Sequence, residues 1–224
     1  MPGLLINYQK ENPYINLYMI KIENIEVQGF KAAIRGMRNP LNSWNKADSS
    51  FNNNTPVLGE NDLKLCKLLI KAGSSDRKFL RMIHVTWDVT APLYLWKEAD
   101  QYRIACTTNS CSTMHKIHSR DLNIEDFSYD HLNEESKENL LKTIGVINKN
   151  RKLYKETNDK EYWWQMIQLL PSSYNQMRTW DLDYETLINI YFSRRYHKLD
   201  EWHVLCDKIL ELPYMKDFIE VLEN

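Results

Sequence analysis

The sharpest alternation in the chain falls at residues 83–90, where Ile83, Val85, Trp87 and Val89 alternate with His84, Thr86, Asp88 and Thr90. Successive side chains on an extended strand point to opposite faces, so this period of two predicts a strand with one apolar and one polar side. Leu17, Ile20, Ile22, Ile25 and Val27, with Lys21 and Glu26 among them, predict an earlier strand. Residues 42–59 are rich in Asn and Ser and are expected to form a surface loop. Leu65, Leu68, Leu69 and Ala72 then recur at helical spacing, with Asn61 placed to cap the helix and Gly73 to end it. Pro92 sits where a helix can begin, since a first-turn residue needs no N–H, and residues 93–103 read as that helix. Residues 134–159 carry charges with spaced Leu and Ile, which predicts one or two solvated helices. Residues 161–169 predict another, stopped by Pro171. In the last third, Leu187, Ile190, Tyr191 and Arg194 share one helical face, and Trp202, Leu205, Cys206 and Ile209 share another. With no repeat and no Gly/Ser/Pro linker, a single α/β domain over residues 1–224 is expected.

Composition narrows the class. Of 224 residues, 26% are charged and 43% hydrophobic, an ordinary globular balance that excludes wholesale disorder. The 29 Lys and Arg against 30 Asp and Glu leave a net charge of −1, so no basic field exists to drive nucleic-acid binding. No run reaches the roughly 18 apolar residues of a membrane span, and the start lacks a charged-then-apolar leader. The expected location is therefore cytoplasmic, with Cys66, Cys106, Cys111 and Cys206 as free thiols.

Generic phosphate-loop, GxSxG and HExxH motifs are absent. The densest reactive cluster is YRIACTTNSCSTMHKIH, residues 102–118, in which Cys106, Cys111, His115 and His118 fall as C-x4-C-x3-H-x2-H. It admits a metal reading, although the spacing fits no common zinc pattern and no metal is expected. It also admits a thiol nucleophile activated by His115. In the third reading the cysteines are small apolar core residues and the hydroxyls are loop hydrogen-bonders. A second cluster, SRRYHKLDEW, spans residues 193–202. Arg194 continues an apolar stripe, so its charge either pairs with a carboxylate inside the fold or faces a polar cavity. Its planar fork of donors suits a phosphate or a uracil-like carbonyl edge. His84 shares the polar strand face with Thr86 and Asp88, which is either a solvated surface or a cleft wall.

The order of these signals resembles that of the flavin-dependent thymidylate synthases over most of the chain. In that family a strand of the type F-T-F-x-V leads through x-A-P into a helix ending R-H-R, followed by x-x-S-x-N-E-x-S-x-R-Y. Here the stretch is VTWDVTAPLYLWKEADQYRIACTTNSCSTMHK, residues 85–116. The later family pattern, L-P, a Trp, N-A-R-S-L, a helix with Asn and Arg, then A-Q-W, is matched by LLPSSYNQMRTWDLDYETLINIYFSRRYHKLDEW, residues 169–202. Gln101, Tyr102 and Arg103 stand at R-H-R, and Asp183, Tyr184 and Glu185 stand at N-A-R. The N-E-x-S segment falls on Thr108, Asn109 and Cys111, or one residue on at Asn109, Ser110 and Ser112. Upstream, Gly73, Ser74, Arg81 and Met82 replace the family's G-H and E-H.

The resemblance implies an α/β fold that is helix-rich around a central mixed sheet, working as a homotetramer with shared active sites. It implies reductive methylation of dUMP, with methylenetetrahydrofolate and NADPH as co-substrates and FAD as cofactor. By position, Tyr102, Arg103, Ile104, Asn109 and Asn189 would hold the cofactor. Gln101, Ser110, Ser112, His115 and Arg178 would hold the substrate, and Arg194 or Arg195 would be catalytic. The alternatives are a related flavin enzyme acting on another pyrimidine nucleotide, or a nucleotide-binding homologue without catalysis.

Overall fold

The structure, a computed structural model, describes residues 20–52 and 55–223. Strand β1 (Lys21–Gln28) begins within the first predicted strand; Leu17 lies outside the described residues. Its apolar positions change parity between Ile22 and Ile25, and the reason is a bulge: the register shifts between Glu23 and Glu26, with Asn24 at φ 50°. Ile22 and Val27 thereby both lie opposite inward-facing residues of the neighbouring strand, Val89 and Val85. Gly29, at φ 93°, turns the chain into helix α1 (Phe30–Gly36). A Cβ there would lie 1.9 Å from the carbonyl oxygen of Met82, so no other residue fits.

The expected loop at 42–59 contains a short hairpin, β2 (Ser50–Asn52) with β3 (Thr55–Val57). Helix α2 (Glu60–Ala72) follows, and Gly73 ends it as expected. Its start differs from expectation. Gly59 is the N-cap, and the carboxylate of Asp48 accepts from the backbone N–H groups of Asn61 at 2.8 Å and Asp62 at 3.0 Å. The buried face also differs, running through Asp62, Cys66 and Ile70, with Leu68 exposed. Asp62 is drawn inward because its carboxylate accepts from Arg38 Nε at 2.7 Å and from the Ser49 hydroxyl at 2.6 Å.

The clean alternation becomes β4 (His84–Pro92), with Val85, Trp87, Val89 and Ala91 buried. Helix α3 (Leu93–Ala99) starts after Pro92 but stops four residues short of Arg103, and residues 100–105 form a turn with Ala105 at φ 48°. The Cys/Ser/Thr segment is not a loop but strand β5 (Cys106–Ser110), followed by the single turn α4 (Thr113–Lys116). Residues 134–159 form mainly one helix, α5 (Glu134–Thr157), and α6 (Lys160–Leu169) ends before Pro171. Next come β6 (Asn175–Asp183), α7 (Tyr184–Arg194), α8 (Asp200–Leu210) and α9 (Met215–Glu223).

The sheet runs in the order β1-β4-β6-β5. Every pairing in it is antiparallel, which corrects the expected mixed sheet. Helices cover one face, where Trp87, Trp96, Trp180, Tyr184 and Trp202 are buried. Trp96 and Trp180 meet edge to face at 5.5 Å. Burial of side chains this size supplies about 1.5–3 kcal/mol each against the unfolded chain. The opposite face is polar: His84 and Thr86 bond the carboxylate of Asp181 at 3.1 and 2.8 Å, and the Thr179 hydroxyl donates to Asp88 at 2.6 Å. A second apolar cluster, including Ile117, Phe127, Ile144, Ile147 and Met166, lies between α5, α6 and the segment before them.

Candidate functional site

The end of α3, the turn after it and the ends of α7 and α8 meet at one carboxylate. Glu98 Oε2 accepts from Arg194 Nη1 at 2.9 Å and from the indole Nε1 of Trp202 at 2.9 Å. His197 Nε2 lies 3.3 Å from the same oxygen. The backbone N–H of Leu199 donates to His197 Nδ1, so the ring proton sits on Nε2 and points at Glu98. Arg194 Nε donates to the Tyr102 hydroxyl at 2.9 Å, and the guanidinium carbon lies 4.8 Å from the Trp202 ring centroid. The side chain of Arg194 is 15% exposed, so this charge is held largely out of water and paired through Nη1 with Glu98.

Beside this group, a hollow of about 200 Å³ is lined by Ala99, Asp100, Tyr102, Arg103, Cys106, Thr108 and Trp180. A second polar cluster braces its far side. Arg178 lies over the Trp96 ring at 4.5 Å, pairs with Asp100 at 2.6 Å and donates to the Gln176 side chain at 3.0 Å. Gln176 in turn donates to the Cys111 carbonyl at 2.7 Å.

The expected site residues therefore divide. Tyr102, Arg103 and Arg194 come together, Arg178 reaches the rim by pairing with Asp100, and Gln101 is exposed in the turn between Asp100 and Tyr102. Ile104, Asn109 and Ser110 are exposed near it, on the turn and on the edge strand β5. Arg195 turns away: it pairs with Glu223 and lies against Tyr191, Phe192 and Tyr196. Asn189 is exposed on α7 between buried Ile188 and Ile190. Ser112 caps α4 by accepting from the His115 N–H at 3.1 Å, and His115 lines a different hollow.

The N-A-R positions serve the fold. Asp183 caps α7 by accepting from the Thr186 N–H at 2.7 Å, Tyr184 is buried, and Glu185 pairs with Arg77 and Arg81. The Trp180 indole N–H points at Cys106 Sγ at 2.8 Å, and burial pushes that thiol's pKa up, which disfavours the thiolate a nucleophile needs. Among the described residues, no three His, Cys, Asp or Glu side chains are grouped to hold a metal. Glu98 was not singled out by the sequence. Its signal was an acid one residue from buried Ala99, on a helix whose other inward positions are Leu95 and Trp96.

This architecture is the α/β fold of the flavin-dependent thymidylate synthases. No family model and no curated protein sequence matches the chain. Among solved structures, it is similar to thymidylate synthase X of Helicobacter pylori with FAD and dUMP, at a TM-score of 0.65 and 15% identity over 93% of this chain and 100% of that one. A second structure of that enzyme, complexed with FAD and dUMP, gives a TM-score of 0.63 and 15% identity, covering 90% and 97%. Among the described residues, no helix is long and apolar enough to cross a membrane.

Proposed function

We propose that the chain is a cytoplasmic enzyme of the flavin-dependent thymidylate synthase type, methylating dUMP reductively with methylenetetrahydrofolate, NADPH and FAD. The observation that carries this reading is the Arg194 guanidinium, clamped between Glu98, Tyr102 and the face of Trp202 beside the hollow at Arg103. A planar fork in that position suits the carbonyl edge of a pyrimidine, and it offsets the negative charge that develops as the ring's C5 becomes nucleophilic. Tyr102 offers an aromatic face for stacking, and the exposed Arg103 offers charge for a phosphate. Ile104 and Asn109 border the cofactor; Gln101, Ser110 and Arg178 border the nucleotide.

These groups are of the kind that hold a flavin: an aromatic ring, an exposed guanidinium, and hydroxyl and amide donors. The hollow of about 200 Å³ is smaller than the roughly 300–1,000 Å³ of most cofactor pockets. The homotetramer that the family resemblance implies would supply the remaining walls from further copies of the chain. When bound, the reduced flavin supplies the hydride. The chain's own residues orient the pyrimidine, hold its developing charge and neutralise phosphates.

One observation favours a second reading, a nucleotide-binding homologue without catalysis: Glu98 already satisfies Arg194, as a structural ion pair would. Flavin absorbance of the purified protein, with dTMP formation from dUMP, methylenetetrahydrofolate and NADPH, tests the proposal. Bound flavin with turnover supports it. Bound flavin whose spectrum ignores dUMP points to another pyrimidine substrate, and no flavin with no turnover leaves the second reading.

A further inference from the structure

A hollow of about 630 Å³ opens between α4, the end of α5 and the start of α6, lined by His115, His118, Tyr154, Asn158, Lys160 and Trp163, with Met114 beside them. It shares no lining residue with the hollow at Tyr102 and Arg103. Its size falls within the range of small-molecule sites. No Asp or Glu lines it, and its chargeable groups, Lys160, His115 and His118, are all of basic type. Two nearby acids have partners: Asp159 accepts from the Glu161 N–H at 2.9 Å, and Asp121 pairs with Arg151; Glu161, next to Lys160 in the chain, is exposed and is not part of the lining.

The aromatic walls are fixed before any ligand arrives. The Trp163 indole donates to the Met114 carbonyl at 3.1 Å, which ties α6 to α4. His118 meets the Tyr154 ring edge to face, with centroids 5.2 Å apart. Lys160 also lines the hollow, and its ammonium lies 5.7 Å from the centroid of the Trp164 ring, next to Trp163 in the chain. Flat aromatic walls, an amide and a cation, with no carboxylate, match a ligand that is planar at one end and anionic at the other.

We infer that this hollow binds a phosphorylated planar-ring compound of nucleoside-monophosphate size, with Lys160 and His115 taking the phosphate and Tyr154 and Trp163 flanking the ring. The site is separate from the one at Arg194 and does not require flavin.

The test is calorimetric titration of the full-length protein at low salt with uridine 5′-monophosphate, uridine and inorganic phosphate. Uridine 5′-monophosphate is expected to bind at least about tenfold more tightly than either fragment, because each reads only half of the site. Lys160 is exposed, so Lys160→Ala leaves the fold intact; it should weaken uridine 5′-monophosphate about tenfold, and Lys160→Arg should restore it. Equal binding by wild type and Lys160→Ala, equal binding of uridine and its monophosphate, or no binding at all would overturn the inference. None of these outcomes depends on flavin uptake. A response of bound flavin to dUMP that survives in Lys160→Ala keeps the two sites distinguishable.

Discussion

Glu98 and Arg194 are joined across 96 residues of sequence by a 2.9 Å ion pair, and the same carboxylate oxygen accepts the indole proton of Trp202. One acid thus ties α3 to both α7 and α8. Glu98→Ala strands a largely buried guanidinium and an indole N–H, at about 1–3 kcal/mol for the groups left unpaired. Thermal melting should show a Tm several degrees lower, at roughly 2–4 °C per kcal/mol for a chain this long. Glu98→Gln, which keeps an acceptor for Trp202, should recover part of the loss. An unchanged Tm in Glu98→Ala would show that the carboxylate does not hold these helices.

Arg194 and Arg195 are neighbours with opposite surroundings, and the proposed activity would separate them. Arg194→Lys keeps the charge but loses the fork that reaches Glu98 and Tyr102 together. Turnover from dUMP should fall about 10²–10³-fold, with flavin absorbance retained. Arg195→Ala removes the pair with Glu223 and should leave the turnover number near wild type. Equal loss of flavin and turnover in Arg194→Lys would assign Arg194 to the fold.

The buried pair of Arg38 and Asp62 makes stability depend on acid. Burial by itself would raise the Asp62 pKa, but hydrogen bonds from Ser49, Arg38 and the Asp48 backbone outweigh it and hold the carboxyl below its ordinary value. A carboxyl depressed in the folded state contributes stability above its unfolded pKa of about 3.9, and that contribution fades as pH falls through the folded value. The Tm gap between wild type and Asp62→Asn should therefore be constant near neutrality and narrow below about pH 4. A gap independent of pH down to acid unfolding would contradict the assignment.

The thiols differ in reactivity. Burial pushes Cys66 and Cys206 up to about 12 and also raises Cys106, whereas Cys111 is exposed. Iodoacetamide at mildly alkaline pH should label Cys111 first, with Cys66 and Cys206 protected until the chain unfolds. Peptide mass spectrometry reads the order directly, and early labelling of Cys66 would refute it.

Strand β4 was legible because both its faces obey one rule, apolar inward and polar outward. Strand β6 was not, because its inward positions include Gln176 and Arg178, made tolerable by the Cys111 carbonyl, Asp100 and the Trp96 ring. Only Cys106 gives β5 an apolar inward residue, and its hydrogen bonds to β6 decide its form. The stripe through Leu65 and Leu68 misplaced the face of α2, since no local pattern shows that Arg38 pulls Asp62 inside. At the candidate site, Tyr102, Arg103 and Arg194 were legible as a group. Glu98, which organises them, was visible only as the kind of partner a buried arginine requires.

The two rims of the sheet limit how copies of this chain can meet. On one side, the bulge at Asn24 bends β1 among Lys21, Glu23 and Glu26; on the other, β5 is only five residues long and almost devoid of apolar side chains. Neither rim offers a straight, greasy template onto which a neighbour's backbone would zip. Copies of the chain that associate in the proposed assembly would therefore meet through faces and loops of the described residues, which leaves the turn after α3 and the hydroxyls of β5 open to whatever a neighbouring copy brings.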